Sequence, residues 1–243
     1  MRIGVLGAGV MGSGIAQVTA IAGHDTVCYD VDPGALERGR EHLTTGRFGV
    51  ESAVTRGKLT REEADAASAR VTFTDRLEDA AATDLVIEAV PERLDLKIAV
   101  FRDLDRLAPP ATILASNSSG LPITALAAAT ERPDRVIGWH WASPAPVMKL
   151  AEIVVTPMTS EPTIATVRET ARACGKNPIV VQDNPMAWGY VANRVYFAMV
   201  REAQRVVEES IATRDEVDQL MMDCFRWPSG PFGMVTGAGS GWS

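Results

Sequence analysis

The sequence predicts an α/β protein: a Rossmann-like, doubly wound and mainly parallel sheet followed by a small all-helical domain. Three observations predict it. Short β-branched apolar runs alternate with longer helix-patterned segments, the arrangement of successive βαβ units. The first run leads directly into a glycine-rich turn that opens a helix. After residue 181 no further strand pattern occurs and helical periodicity takes over.

The strand runs fall at residues 3–6, 26–29, 71–73, 85–89, 112–115, 135–139, 151–155 and 179–181. Several are continuously hydrophobic, as strands covered on both faces are. Helix starts are marked by Asp32 before Pro33 and by Thr60 with Glu63, a capping-box spacing. A helix from Glu161 is closed by Gly175. From 188 to 209, Val191, Val195, Ala198, Met199, Ala203 and Val206 recur at helical spacing, and Thr213 with Glu216 caps a further helix. The expected division is a nucleotide-binding domain over 1–183 and a helical domain over 184–243. The run 237–243 alternates glycine with small residues and predicts a flexible end rather than a helix.

With 243 residues, 46% of them apolar and 23% charged, the chain can bury a substantial core. A net charge of −7 argues against a nucleic-acid partner, since no basic face is implied. Cys28, Cys174 and Cys224 are widely spaced without a CxxC, so neither a disulfide framework nor a metal site is expected. No apolar stretch approaches the roughly 18 residues of a membrane span, and the chain opens on a strand rather than a leader. A cytoplasmic protein is expected.

The turn after the first strand reads Gly7-Ala8-Gly9-Val10-Met11-Gly12. Its place between a strand and a helix, with a second strand ending at Asp30, makes it a dinucleotide fingerprint rather than a chance glycine cluster. Gly7 permits the turn, Gly9 lets a pyrophosphate approach the backbone, and Gly12 lets helix pack on strand; Met11 lies in the same turn. Asp30 can accept from ribose hydroxyls and repels a 2′-phosphate, and Val31-Asp32-Pro33 offers that phosphate no cation. The expected cofactor is NAD.

Of three histidines, His24 lies in a turn and His42 on a helix of mixed polarity, whereas His140 ends a strand. In open α/β sheets ligands gather at such carboxyl ends. Glu152 interrupts the next apolar strand, and a carboxylate there needs a partner. If the two strands lie side by side, Glu152 can hold the His140 imidazole and fix its tautomer, making a general base for oxidation of an alcohol. The cluster 116–120 follows another strand; from local pattern alone Ser119 reads as a helix N-cap and Asn193 as a surface helix residue rather than as site residues.

Gly7-x-Gly9-x-Met11-Gly12-x-Gly14, Ile87-Glu88-Ala89-Val90-Pro91-Glu92, Ala115-Ser116-Asn117-Ser118-Ser119, and Trp139-His140 leading to Pro144-Ala145-Pro146-Val147-Met148-Lys149-Leu150-x-Glu152 together resemble the L-3-hydroxyacyl-CoA dehydrogenase family. Gly189-Tyr190-Val191-Ala192-Asn193-Arg194 and Gly230-Pro231-Phe232 extend the match along the chain. The resemblance implies reversible oxidation of a 3-hydroxyacyl-CoA with His140 as base and Glu152 as its partner. Ser119 and Asn193 would position substrate and nicotinamide, while Glu92, Lys97 and Asp30 would contact NAD. The chain departs from the family at 183–190, where Met186, Ala187 and Trp188 stand as additional residues able to reshape the acyl pocket. It departs again after His140, where Ser143 would serve in place of an asparagine. Arg47, Arg56 and Lys58 are cations without an assigned role. The alternatives are the same chemistry on a non-CoA hydroxy acid or an acyl-carrier thioester, or an NAD-binding protein without catalysis. The helical domain is shorter than the family's. Its Leu220, Met221, Phe225, Trp227 and Phe232 are therefore expected to need cover, which predicts a homodimer.

Overall fold

A computed structural model describes residues 1–240. The chain divides into two compact units, Met1–Tyr190 and Val191–Ser243. The first contains β1 (Arg2–Leu6), α1 (Val10–Ile21), β2 (Asp25–Tyr29), α2 (Pro33–Thr44), α3 (Val50–Thr55), α4 (Arg61–Ala69), β3 (Val71–Thr74), α5 (Leu77–Ala81), β4 (Leu85–Glu88), α6 (Leu94–Leu107), β5 (Ile113–Ser116), α7 (Ile123–Ala127), β6 (Val136–Trp141), β7 (Leu150–Val155), α8 (Glu161–Ala173) and β8 (Asn177–Gln182). The second holds α9 (Val191–Glu208), α10 (Arg214–Phe225) and α11 (Pro231–Ser240).

One sheet of eight strands runs in the order β3-β2-β1-β4-β5-β6-β7-β8. Pairing is parallel except at β6–β7, which is antiparallel. The order reverses between β1 and β4, the switch point where open α/β sheets bind nucleotides. Two buried clusters cover the two faces. One gathers Ile3, Val5, Ile15, Ile87, Ile137, Trp139 and Val167; the other gathers Leu6, Val86, Phe101, Leu114, Ile123 and Tyr190. Alternate residues of each central strand point to opposite faces, which is why these strands read as unbroken apolar runs.

Asp32 accepts from Gly34 N at 2.9 Å to start α2, and Thr60 with Glu63 forms the expected capping box on α4. Gly175 adopts φ +69° behind α8. Strand β6 runs past the expected 139 to Trp141, because antiparallel pairing with β7 continues it. The first unit runs on past residue 183 to Tyr190, since segment 183–190 is bonded to residues 120–124.

In the second unit Thr213 and Glu216 cap α10 as the spacing implied. The expected flexible end is not observed over residues 237–240, which continue α11. The Asp218 carboxylate accepts from Phe232 N at 2.8 Å and Gly233 N at 2.7 Å, and Pro231 occupies the first helical position, so the start of the helix is secured despite its glycines. Gly241, Trp242 and Ser243 lie outside the described residues. Among the described residues, no helix is long and apolar enough to cross a membrane.

Candidate active site

The glycine turn lies at the carboxyl end of β1. Gly7 takes φ +95°, and a side chain on Gly12 would collide with the Gly7 carbonyl, so the crossing of α1 over β1 excludes even alanine there. A Cβ on Gly9 would meet nothing within 4 Å, and no side chain caps α1. The backbone at Gly9 therefore faces open space at a helix N-terminus, which suits a pyrophosphate. Met11 packs half-buried against the core beneath the same turn. Asp30 joins the turn to the end of β2: Oδ2 accepts from Ala8 N at 2.8 Å and Oδ1 from Asp32 N at 3.0 Å. These residues fit an NAD adenosine and its phosphates.

His140 and Glu152 sit directly opposite each other in the antiparallel β6–β7 ladder. Nδ1 of His140 lies 2.7 Å from Oε2 of Glu152, with the two residues only 5% and 4% exposed. The twelve-residue separation is thus a cross-strand pair, set by a turn that brings the strands back in this register. The Tyr190 ring lies 5.8 Å from the imidazole, and its hydroxyl donates to Leu121 O at 2.7 Å. Burial pushes the Tyr190 phenol upward, so it acts as a fixed hydrogen-bond donor. Asn117 Oδ1 accepts from Trp141 N at 3.0 Å and ties the end of β5 to the end of β6.

The connection from β6 to β7 is held from below. Lys176 donates to Ala145 O at 2.6 Å and Met148 O at 2.8 Å, and its ammonium lies 5.1 Å from the Trp141 ring. Burial lowers the Lys176 pKa. Ser143 starts this connection, half-buried.

At the ends of β4 and β5 a buried network supports the loop carrying Ser119. Glu88 accepts from Lys97 Nζ at 2.6 Å, Ser116 Oγ at 2.6 Å and Val90 N at 2.7 Å. Lys97 also donates to Val90 O at 3.1 Å and lies 3.3 Å from Glu92 Oε2. Glu92 Oε1 in turn accepts from Ser118 Oγ at 2.6 Å and Ser119 N at 2.8 Å. Burial pushes the Glu88 carboxyl upward against the opposing pull of Lys97, Ser116 and Val90 N–H.

Lys97, expected to contact NAD, is 1% exposed and engaged by Glu88 and Glu92 in this network. Ser119 does not cap α7. Ser118 Oγ accepts from Gly120 N and Leu121 N, and Asp183 Oδ2 accepts from Thr124 N. Ser119, His140 and Glu152 share the carboxyl-end region of the sheet, whereas Asn193 belongs to the second unit, on α9. Sequence reasoning missed Glu88, Asn117, Tyr190 and Lys176. The rule that exposed Glu152, a carboxylate in an apolar strand, applies equally to Glu88.

Residues 2–184 match the family model described as 3-hydroxyacyl-CoA dehydrogenase, NAD binding domain, and residues 189–243 match its C-terminal domain. The chain is 42% identical over 234 residues to a probable 3-hydroxybutyryl-CoA dehydrogenase of Bacillus subtilis, covering 96% of this chain and 79% of that one. It is 36% identical over 237 residues to the mitochondrial hydroxyacyl-coenzyme A dehydrogenase of Homo sapiens, covering 96% and 74%. Among solved structures, the (S)-3-hydroxybutyryl-CoA dehydrogenase from Ralstonia eutropha superimposes with a TM-score of 0.88 at 37% identity, covering 95% of this chain and 79% of that one. An NAD-dependent oxidoreductase acting on the hydroxyl of a 3-hydroxyacyl-CoA, this chain belongs to the 3-hydroxyacyl-CoA dehydrogenase family.

Proposed function

We propose that His140 takes the 3-hydroxyl proton of the 3-hydroxyacyl-CoA as C3 is oxidised to the 3-oxo product, with Glu152 as its electrostatic partner. The observation that carries this is the buried 2.7 Å contact at the carboxyl end of β6. A carboxylate facing Nδ1 selects the tautomer with the proton there, which leaves the Nε2 lone pair for the substrate hydroxyl. The same carboxylate stabilises the imidazolium formed when Nε2 takes the proton. In the reverse direction Nε2 returns it to the substrate oxygen. NAD, when bound, accepts the electron pair that leaves C3.

Gly7, Gly9, Met11 and Gly12 form the pyrophosphate cradle and Asp30 receives the adenosine ribose. Glu92 and Ser143 complete the cofactor contacts, and Lys97 orients Glu92. Ser119 and Asn193 orient the substrate hydroxyl or thioester carbonyl and the nicotinamide. A cavity of about 390 Å³ lined by Phe48, Arg56, Lys58, Pro146 and Lys149 offers cations for the phosphates of CoA, which favours that carrier. Free, widely spaced cysteines with no disulfide between described residues are what a cytoplasmic location would give.

The test is growth of the NADH absorbance with a substrate panel. 3-Hydroxybutyryl-CoA is expected to exceed free 3-hydroxybutyrate and a carrier-bound thioester by about tenfold or more in kcat/KM. Replacing NAD by NADP is expected to cost about tenfold or more, because Asp30 opposes a 2′-phosphate. Equal turnover of the free acid would move the reading to a non-CoA substrate.

We also assign a homodimer. Leu220 and Phe225 are 63% and 57% exposed, and α9 exposes Val191, Val195 and Phe197 while Ala203 is its one buried residue. Apolar surface of this extent favours a self-complementary contact. Light scattering is expected to give twice the 26.0 kDa chain mass; a monomer at micromolar concentration counts against the assignment.

A further inference from the structure

Segment 183–190 is a strap fixed at both ends. At one end Asp183 Oδ2 accepts from Thr124 N at 2.7 Å and from Thr124 Oγ1 at 2.6 Å. At the other, Gly189 N donates to Gly120 O at 3.2 Å and Tyr190 OH to Leu121 O at 2.7 Å. Tyr190 is itself 6% exposed and lies against the His140 ring.

The strap leaves no room at Gly120: a Cβ there would strike the Gly189 backbone and Cε2 of the Trp188 indole. One edge of Trp188 is therefore seated on the residue that follows Ser119. The indole as a whole remains 53% exposed, while Met186 at 92% is almost unsupported. The result is an apolar ring held one residue from Ser119 and two residues from the tyrosine that touches His140. Gly120 supports one edge of the ring, which limits the further ordering that packing a flexible chain on it costs.

We propose that Trp188 is the acyl-chain contact that makes this enzyme favour longer 3-hydroxyacyl groups. This rests on the dehydrogenase reading above. When the hydroxyl-bearing carbon is at His140 and Ser119, the alkyl end of the acyl group lies along the exposed indole face, and each methylene laid there leaves water. Burial of one methylene changes affinity by about fourfold when complete and about twofold on one face. Chain-length dependence should then be steep with Trp188 and shallow without it. Phenylalanine should retain most of the effect because it keeps an aromatic face.

The test is kcat/KM for 3-hydroxybutyryl-, 3-hydroxyhexanoyl- and 3-hydroxyoctanoyl-CoA with the parent protein, Trp188→Phe and Trp188→Ala. Trp188→Ala is expected to lose about tenfold on the octanoyl substrate relative to the butyryl one, chiefly through KM. Trp188→Phe should lie close to the parent. An equal loss at all three lengths would mean that Trp188 merely supports the strap, and a gain on the octanoyl substrate would mean that it blocks long chains; either overturns the proposal. Failure of the parent protein on all three overturns the dehydrogenase reading and the proposal with it, a result distinct from a flat length profile.

Discussion

Lys97→Met is expected to lower the free energy of unfolding by about 3–5 kcal/mol, the cost of leaving one partner of a buried ion pair alone. Glu88 is 0% exposed and Lys97 1% exposed, so bulk solvent does not screen the pair. Methionine keeps most of the side-chain volume, which confines the change to charge and hydrogen bonding. Glu88 then retains only Ser116 Oγ and Val90 N–H as donors. The direction with pH follows from the carboxyl's raised pKa, which loss of the cation raises further. A group that binds its proton more tightly when folded favours the folded state at low pH. The deficit should therefore shrink as pH falls toward the ordinary glutamate value of 4.5 and grow above it. Adding Glu88→Gln to the variant should recover much of the loss, because the uncompensated charge is gone. Urea denaturation at two pH values measures both effects. A loss below about 1 kcal/mol would mean that the pair contributes no more than a solvent-exposed one. Activity should fall as well, since Lys97 holds Glu92, and Glu92 holds Ser118 and Ser119.

His140→Gln is expected to lower kcat/KM by about 10²–10⁴-fold, the usual worth of a general base. Glutamine places an amide near the Glu152 carboxylate, so the buried charge keeps a donor and the fold should persist. NAD binding, followed by quenching of protein fluorescence, should change little, because the glycine cradle and Asp30 are untouched. Glu152→Gln should cost less, about tenfold or more, since it removes the orienting charge but leaves the base in place. A His140→Gln enzyme within a few-fold of the parent would remove His140 from the chemistry. Loss of NAD binding in that variant would instead point to a structural role. The use of kcat/KM rather than kcat keeps product release from masking the chemical step.

Much of this was legible locally. The strand before the glycine turn, the two capping boxes at Thr60 and Thr213 and the stop at Gly175 all depend on neighbours within a few residues. Such signals are short-range, and nothing distant overrode them. Where a distant group intervened, local reading failed. Residues 237–240 look too glycine-rich for a helix, yet Asp218 from α10 secures the N-terminus of α11. Ser119 reads as a cap, yet Ser118 and Asp183 serve there.

By itself the sequence determined the doubly wound α/β order, the dinucleotide turn with its acidic Asp30, and the presence of a histidine and a carboxylate in neighbouring apolar strands. Periodicity, glycine geometry and the cost of burying charge suffice for those. Only the tertiary structure decided that His140 and Glu152 meet at 2.7 Å, because one residue of slip in the β6–β7 register would send one of them to the opposite face. It alone decided that Lys97 serves Glu88 inside the protein and that an edge of Trp188 rests on Gly120. Both depend on which segments pack together, and that is a property of the folded chain rather than of any stretch within it.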